Sequence, residues 1–197
     1  MYIHQNILVG SNIDYLWSKK NREPLKGIQT IVIHYTAGAS AISSARYMVA
    51  DNTPVSAHII IGRDGKIIQM VEFQTQAWHA SKSQFLGNTE MNAWSIGIEL
   101  DNAGLLYERD NRYYAWFGQR ISADQVVQLV NPQTGFQAWW QTYTEKQISR
   151  LHEVCKLLLF NYKINRIVGH YEISLTGKID PGPAFPMADF KKLIYDK

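Results

Sequence analysis

A dense group of ionisable side chains lies near the C-terminus, in the stretch INRIVGHYEISLTGKIDPGPAFP. It places His170, Lys178 and Asp180 within eleven residues, and Pro-Gly-Pro follows the aspartate directly. A further candidate, His34, ends the earlier run IVIH much as His170 ends IVGH. Two imidazoles and one carboxylate, with a fourth position left to water, form a ligand set typical of catalytic zinc. The alternative is two satisfied core histidines and a turn aspartate, and the residues alone leave both interpretations open.

Regular elements must position these side chains. Short β-branched runs predict buried strands at 29–35 and 166–170, so that each histidine emerges where its strand ends. Sites commonly form at such places, on loops held by a rigid scaffold. A third strand is predicted at 93–102, because apolar and polar residues alternate there: Ile98 belongs to the apolar face and Glu99 to the opposite one.

Helices and a hairpin are predicted between these strands. The helical pattern at 40–51 starts at a serine, and the amphipathic helix at 145–163 follows a capping box that begins at Thr144. Another helix is predicted at 187–196, and two apolar runs around Arg-Asp-Gly predict a hairpin at 56–72. Interspersed strands and helices predict a mixed α/β fold, with a central mixed β-sheet flanked by helices.

Two segments lack a simple periodic pattern. Residues 1–26 predict an irregular N-terminal arm, and residues 103–142 predict an aromatic hairpin followed by a long loop. Two roles of this aromatic insertion stay open. It is either a satellite cluster that packs over the sheet or a wall that extends a cleft, since aromatic faces suit sugar rings. The whole chain, 1–197, is expected to form a single domain.

Composition excludes several classes of protein. The chain is 46% hydrophobic and 19% charged, with a net charge of +3 and scattered Lys and Arg residues, so we expect no nucleic-acid partner. No apolar run approaches the roughly 20 residues of a membrane helix, so we expect no membrane partner. Cys155 is the single cysteine, which excludes an internal disulfide. Although His152 lies on the same predicted helix face, a free cysteine there is expected to belong to the core.

Six motifs occur in order along the chain: IVIHYTAG, VSAHIIIGRDGKIIQMV, AWHA, SIGIELDN, IVGHYEIS and GKIDPGPAFP. From about residue 31 to residue 190 the chain therefore resembles the zinc-dependent N-acetylmuramoyl-L-alanine amidases, whose fold is shared with peptidoglycan recognition proteins. The resemblance implies a mixed sheet with a zinc cleft on one side. It also implies hydrolysis of the amide between the lactyl group of N-acetylmuramic acid and the L-alanine of the stem peptide, in peptidoglycan or in soluble muropeptides.

The same resemblance implies roles for individual residues. The family's zinc ligands fall on His34, His170 and Asp180. Its catalytic glutamate falls on Glu99, which would act as the base, and its catalytic lysine on Lys178, which would stabilise the oxyanion. Without the resemblance, the last two would be interpreted as a solvated strand residue and a surface lysine.

Contacts to the substrate are also expected. Some of them rest on the same resemblance, and others on a position directly after the expected ligand His34. These contacts fall on five residues: Tyr35, Thr36, His58, Trp78 and His79. Gly177 departs from the pattern, because many relatives carry an arginine directly before the catalytic lysine. This difference puts contacts to the substrate in question, and leaves the zinc site untouched.

Two alternative functions remain open. A recognition module would keep the cleft and lose the metal, but such proteins usually lack one or more ligands, and all three are present here. A zinc peptidase that cuts within the stem peptide would use the same chemistry. Because the N-terminus has no signal-peptide pattern, we expect a cytoplasmic enzyme; a lysin or toxin released without a signal peptide is the alternative. Nothing in the sequence indicates an oligomeric state.

Overall fold

The computed structural model describes residues 1–196, which form two main β-sheets and four helices. The helices are α1 (Ala41–Val49), α2 (Glu145–Asn161), α3 (His170–Ile173) and α4 (Met187–Tyr195). The strands are β1 (Tyr2–His4), β2 (Ile7–Val9), β3 (Ile13–Tyr15), β4 (Thr30–Tyr35), β5 (Ile59–Ile61), β6 (Ile67–Gln69), β7 (Gln84–Phe85), β8 (Asn88–Thr89), β9 (Ser95–Leu100), β10 (Leu105–Arg109), β11 (Arg112–Tyr114), β12 (Arg120–Ile121), β13 (Val126–Val130), β14 (Gln137–Gln141) and β15 (Arg166–Gly169). None of these helices is long and apolar enough to cross a bilayer.

The central sheet brings the candidate residues to one edge. Its strand order is β15-β4-β9-β5-β6-β3, in which β15, β4, β9 and β5 are parallel and β6 is antiparallel to β5. In the register of β4 and β9, His34 pairs with Glu99. Because neighbouring parallel strands end at the same edge, His170, directly after β15, comes to that edge as well. The predicted fold class, a central mixed sheet flanked by helices, is confirmed.

Different elements cover the two faces of this sheet. On one face, Ile33 of β4 packs with Leu151 of α2 in the largest core cluster, to which α4 also contributes. On the other face, α1 packs through Met48 in a second cluster. Since successive residues of a strand point to opposite faces, His34 and Glu99 point away from the α2–α4 core. The candidate site therefore lies on the α1 face.

Helix α2 begins at the predicted capping box. Thr144 Oγ1 accepts a hydrogen bond from the Gln147 amide at 3.1 Å, and Gln147 Oε1 accepts one from the Thr144 amide at 3.1 Å. Gln147 Nε2 also donates to the carbonyl oxygens of Ile61 and Asp101, at the ends of β5 and β9. Cys155 of this helix is fully buried, as predicted, and burial raises the pKa of its thiol.

The prediction for residues 103–142 was wrong in its second half. Instead of one hairpin and a long loop, the segment forms a five-stranded antiparallel sheet with the order β12-β11-β10-β14-β13. Trp139 pairs with Leu106, and Trp140 pairs with Leu105 and Val127. These strands are two to five residues long, so their alternation is too short to stand out among the turn residues.

The prediction of an irregular arm at residues 1–26 was also wrong. Strands β1 and β2 form a hairpin whose turn is Gln5-Asn6, both with positive φ, at 47° and 66°. Strand β3 extends the central sheet by pairing with β6, and Leu8 is fully buried. A two-residue turn with both φ angles positive usually carries Asn-Gly or Asp-Gly, so Gln-Asn gave no hairpin signal.

Candidate metal centre and cleft

Three side chains that are distant in sequence converge at the edge of the central sheet. His34 Nδ1 lies 2.8 Å from Asp180 Oδ2, His170 Nδ1 lies 3.1 Å from the same oxygen, and the two Nδ1 atoms are 3.1 Å apart. All three residues are buried. We call this set the His–His–Asp cluster, and its atoms are close enough together to hold one metal ion.

The protonation states of Asp180 and His34 suit a metal. Burial alone would raise the pKa of Asp180, but its hydrogen bonds with His170 and His34 hold that pKa below its ordinary value. Burial lowers the pKa of His34. An ionised carboxylate and a neutral imidazole are the forms that ligate metals.

The turn after Asp180 is held by its neighbours. The Asp180 carbonyl oxygen accepts a hydrogen bond from the Tyr171 amide at 3.1 Å. The hydroxyl of Tyr143 donates to the carbonyl oxygen of Pro181 at 2.7 Å. Gly182 has a φ of 76°, in the left-handed region that favours glycine. These contacts fix the backbone at the aspartate and directly after it.

A second histidine supports His34 from the side remote from Asp180. His34 Nε2 lies 3.0 Å from His79 Nδ1, and His79 Nε2 lies 3.4 Å from the carbonyl oxygen of Ser95. The imidazole of His79 rests on Gly97, where an added Cβ would lie only 2.3 Å from His79 Cγ. The close approach of this ring to strand β9 therefore requires the glycine.

The carboxylate of Glu99 near the His–His–Asp cluster is unusual in its burial, its hydrogen bonding and its pKa. It is buried, and its Oε2 atom has no hydrogen-bond partner. Burial raises the pKa of Glu99 well above its ordinary value, and the negative charge of Asp180 raises it further, while Lys178 opposes the shift. A carboxyl group with a raised pKa inside a cleft is suited to accept and return a proton near neutral pH.

A cleft of about 740 Å³ contains the His–His–Asp cluster and Glu99. Lys178, which is exposed, lines the same cleft, as does Gly177 beside it. Among the predicted substrate contacts, four line the cleft: Tyr35, Thr36, Trp78 and His79. The geometry thus brings together the cluster, Glu99, Lys178 and these four residues.

His58 lies elsewhere, and its assignment as a substrate contact needs correction. It is fully buried and is not among the residues that line the cleft. Its Nδ1 accepts a hydrogen bond from the Gly97 amide at 3.0 Å, and its Nε2 donates to the Thr75 carbonyl oxygen at 2.9 Å. Burial lowers the pKa of His58 to about 4. With both ring nitrogens bonded to backbone, this neutral histidine supports β9 from within the core.

Sequence reasoning missed the part of the cleft that helix α1 forms, to which Ser44, Tyr47 and Met48 contribute. The aromatic insertion, for which a cleft wall was one of the two open roles, contributes Trp116. The available signal was the short distance along the chain from His34 to the start of α1 at Ala41. His152 is not part of the His–His–Asp cluster.

Comparison with known proteins identifies the family. Residues 23–183 match the family model described as N-acetylmuramoyl-L-alanine amidase. The 1,6-anhydro-N-acetylmuramyl-L-alanine amidase AmpD of Escherichia coli strain K12 is 33% identical over 142 residues, 71% of this chain and 58% of AmpD. The N-acetylmuramoyl-L-alanine amidase AmiD of the same strain is 32% identical over 168 residues, 81% of this chain and 50% of AmiD. The chain spans about half the length of the curated relatives that it matches.

Solved structures show the same relationship. A crystal structure of a selenomethionine AmpD derivative matches with a TM-score of 0.70 at 25% identity, covering 98% of this chain and 99% of that one. The complex of E. coli AmiD with the substrate anhydro-N-acetylmuramic acid-L-Ala-D-γ-Glu-L-Lys matches with a TM-score of 0.63 at 28% identity, covering 84% and 57%. With a family model that matches most of its length, this chain belongs to the N-acetylmuramoyl-L-alanine amidase family.

Proposed function

We propose that this chain is a zinc-dependent N-acetylmuramoyl-L-alanine amidase. It hydrolyses the amide between the lactyl group of N-acetylmuramic acid and the L-alanine of the stem peptide. The observation that carries this proposal is the His–His–Asp cluster, which shares a cleft with the unpartnered carboxylate oxygen of Glu99. Since AmpD is named for a 1,6-anhydro sugar and AmiD was solved with one, the proposed substrates include anhydromuropeptides.

The donor set fits zinc. Tetrahedral zinc with ligands at about 2.0–2.1 Å has ligand atoms roughly 3.3 Å apart, and the three atoms of the cluster are 2.8–3.1 Å apart. Two imidazole nitrogens and one carboxylate leave a fourth position open, as catalytic zinc requires. Bound there, zinc would act as a Lewis acid on the amide carbonyl and would lower the pKa of water to about 7.

Glu99 is the proposed general base and acid. It takes a proton from the attacking water as the oxygen bonds to the carbonyl carbon. It then gives a proton to the nitrogen of L-alanine as the C–N bond breaks, so the products are a lactyl carboxylic acid and a free amine. Its raised pKa supports both steps, because the carboxyl group can hold the proton between them.

Lys178 is the proposed stabiliser of the oxyanion. Lys178 lines the cleft, and its positive charge is near enough to Glu99 to oppose the rise in the pKa of that carboxyl group. A positive charge there favours the negative oxygen that develops when the carbonyl carbon becomes tetrahedral. The neighbouring Gly177 contributes no side chain, so Lys178 provides this charge alone in its segment.

His79 is proposed to orient His34. With Nδ1 holding a metal, His34 would carry its proton on Nε2 and would donate a hydrogen bond to His79 Nδ1, which lies 3.0 Å away. The remaining proton of His79, on Nε2, then faces the carbonyl oxygen of Ser95. Such partners fix the tautomer and ring direction of metal-ligating histidines. His79 therefore acts through His34, in addition to the contact with the substrate that the sequence analysis predicts for it.

Removal and return of the metal test this function. The wild-type chain, stripped with a chelator, should release no peptide amine from an anhydromuramoyl tripeptide, and zinc should restore the release. Magnesium serves as the control cation, because it prefers oxygen ligands. Full activity in a demonstrably metal-free sample would contradict the proposal. The cytoplasmic location stays a prediction, which fractionation of the source cells would test.

A further inference from the structure

The five-stranded antiparallel sheet, from here on the second sheet, places one tryptophan of its β11–β12 turn at the cleft with most of its surface exposed. Trp116 is 67% exposed and lines the cavity that holds the His–His–Asp cluster. Large apolar side chains usually bury their rings, and an exposed aromatic ring in a cleft commonly marks a binding surface. Tyr47 of α1 is the other exposed aromatic side chain lining the cleft in the described part of the chain.

The indole of Trp116 is held in place. Its Nε1 donates a hydrogen bond of 2.7 Å to the carbonyl oxygen of Ala37, three residues after His34. Its ring meets Phe117 edge to face, with centroids 5.6 Å apart and planes at 87°. Because the N–H group is already bonded within the protein, the indole offers its apolar face to a ligand.

The backbone that carries Trp116 is a tight turn between β11 and β12. The Gly118 amide donates to the Ala115 carbonyl oxygen at 2.9 Å, and the Ala115 amide donates to the Gln119 carbonyl oxygen at 2.9 Å. Gly118 has a φ of 85°, which glycine adopts without strain. Ala115 is buried in the core of the second sheet, so the turn is anchored on that sheet.

We propose that Trp116 forms a stacking platform for a pyranose ring in the saccharide part of the substrate. This inference rests on the proposed function and adds the residue that recognises the sugar. Three residues of chain span at most about 11 Å, so Ala37 keeps the indole close to His34. The scissile amide joins the peptide to the lactyl group of the sugar. A substrate with that amide at the cluster must therefore place a pyranose ring in the same cleft, where its C–H face can pack on the indole.

Two other aromatic residues of the 103–142 segment differ from Trp116, and one of them supplies a control. Trp139 is half-buried, packs on Tyr113 at 4.7 Å between centroids and donates to Glu108. Phe136 is 75% exposed but does not line the cleft. Phe136→Ala therefore removes an exposed ring from the turn between β13 and β14 and leaves the proposed platform intact.

Two probes with the same scissile amide test the platform. One is N-acetylmuramoyl-L-Ala-D-γ-Glu-L-Lys, and the other is D-lactoyl-L-Ala-D-γ-Glu-L-Lys, which lacks the sugar ring. Trp116→Ala should raise KM for the first about three- to tenfold, the usual worth of an aromatic contact, and leave KM for the second unchanged. Trp116→Phe should recover most of the loss, and Phe136→Ala should behave like the wild type with both probes.

Equal effects of Trp116→Ala on the two probes, or no effect on either, would overturn the platform. Binding is measured in parallel by titration calorimetry of the Glu99→Gln variant, with and without Trp116→Ala. If the wild type hydrolyses neither probe, the proposed function fails. The platform is still supported if Trp116→Ala raises the Kd for the muramoyl probe and leaves the Kd for the lactoyl probe unchanged. The platform is contradicted if the muramoyl probe binds equally to Glu99→Gln with and without Trp116→Ala, or binds to neither of these two variants.

Discussion

Substitution of a single glycine tests how the candidate metal centre is supported. Gly97→Ala would place a methyl group 2.3 Å from His79 Cγ, whereas ordinary contacts lie at 3.4 Å or more. The imidazole must therefore retreat by at least about 1 Å. Its 3.0 Å hydrogen bond to His34 Nε2 then lengthens beyond the normal hydrogen-bond range. Loss of such an outer partner lowers metal affinity about 10- to 100-fold, or roughly 1.4–2.8 kcal/mol.

Zinc affinity is measured by competition with a chromophoric chelator, so the assay needs no substrate. Gly97→Ala and His79→Ala should each weaken zinc binding by this factor. In the His79→Ala background, Gly97→Ala should have no further effect on zinc affinity, because the ring it displaces is gone. Gly27→Ala is the matched control, since its added Cβ meets Trp94 at an ordinary 3.4 Å.

Thermal unfolding of the same variants is measured without zinc. A lower unfolding temperature there reports overpacking of strand β9, which is thereby separated from weaker binding of the metal. Wild-type zinc affinity in folded Gly97→Ala would refute the support by His79. An effect of equal size with and without His79 would refute it too.

Alanine at any position of the His–His–Asp cluster should abolish stoichiometric zinc binding measured by elemental analysis, whereas His152→Ala should retain it; zinc loss in His152→Ala would mean that the ligand set is wrong. Glu99→Gln should bind zinc normally and lose kcat by about 10²–10⁴-fold, and near-normal turnover would remove Glu99 from the mechanism. Lys178→Met should keep zinc and lose kcat by about 10²–10³-fold; an effect on KM alone would instead indicate substrate binding. Because burial raises the pKa of Glu99 and the base must be ionised, the acidic limb of kcat/KM should lie above pH 4.5, with activity lost as pH falls through it; an acidic limb at or below that value would contradict the assignment.

Local patterns in the sequence predicted the framework of the site. The β-branched runs before His34 and His170 were long enough to identify buried strands, and the capping box at Thr144 located the start of α2. Parallel strands that end at one edge then bring both histidines together. The alternation around Glu99 placed its side chain on the face away from the α2–α4 core. These features depend on residues close together in the chain, which is why the sequence displays them.

Contacts between distant segments were not predictable in the same way. The sequence did not reveal that His79 rests on Gly97 and meets His34, or that His58 turns inward to backbone groups of the core. Beyond one aromatic hairpin, the second sheet was not predicted, because its strands are short and their pairing depends on tertiary packing. The position of Trp116 beside the carbonyl oxygen of Ala37 depends on that sheet.

The bond that is cleaved tests the central claim most directly. Anhydromuramoyl-L-Ala-D-γ-Glu-L-Lys is incubated with the zinc-loaded chain in water enriched in ¹⁸O, and the products are identified by mass spectrometry. The account predicts two products: a sugar whose lactyl carboxylate has gained one ¹⁸O, and an intact, unlabelled tripeptide with a free L-alanine amine. Cleavage within the stem peptide, or no cleavage by protein that holds one zinc per chain, would contradict it.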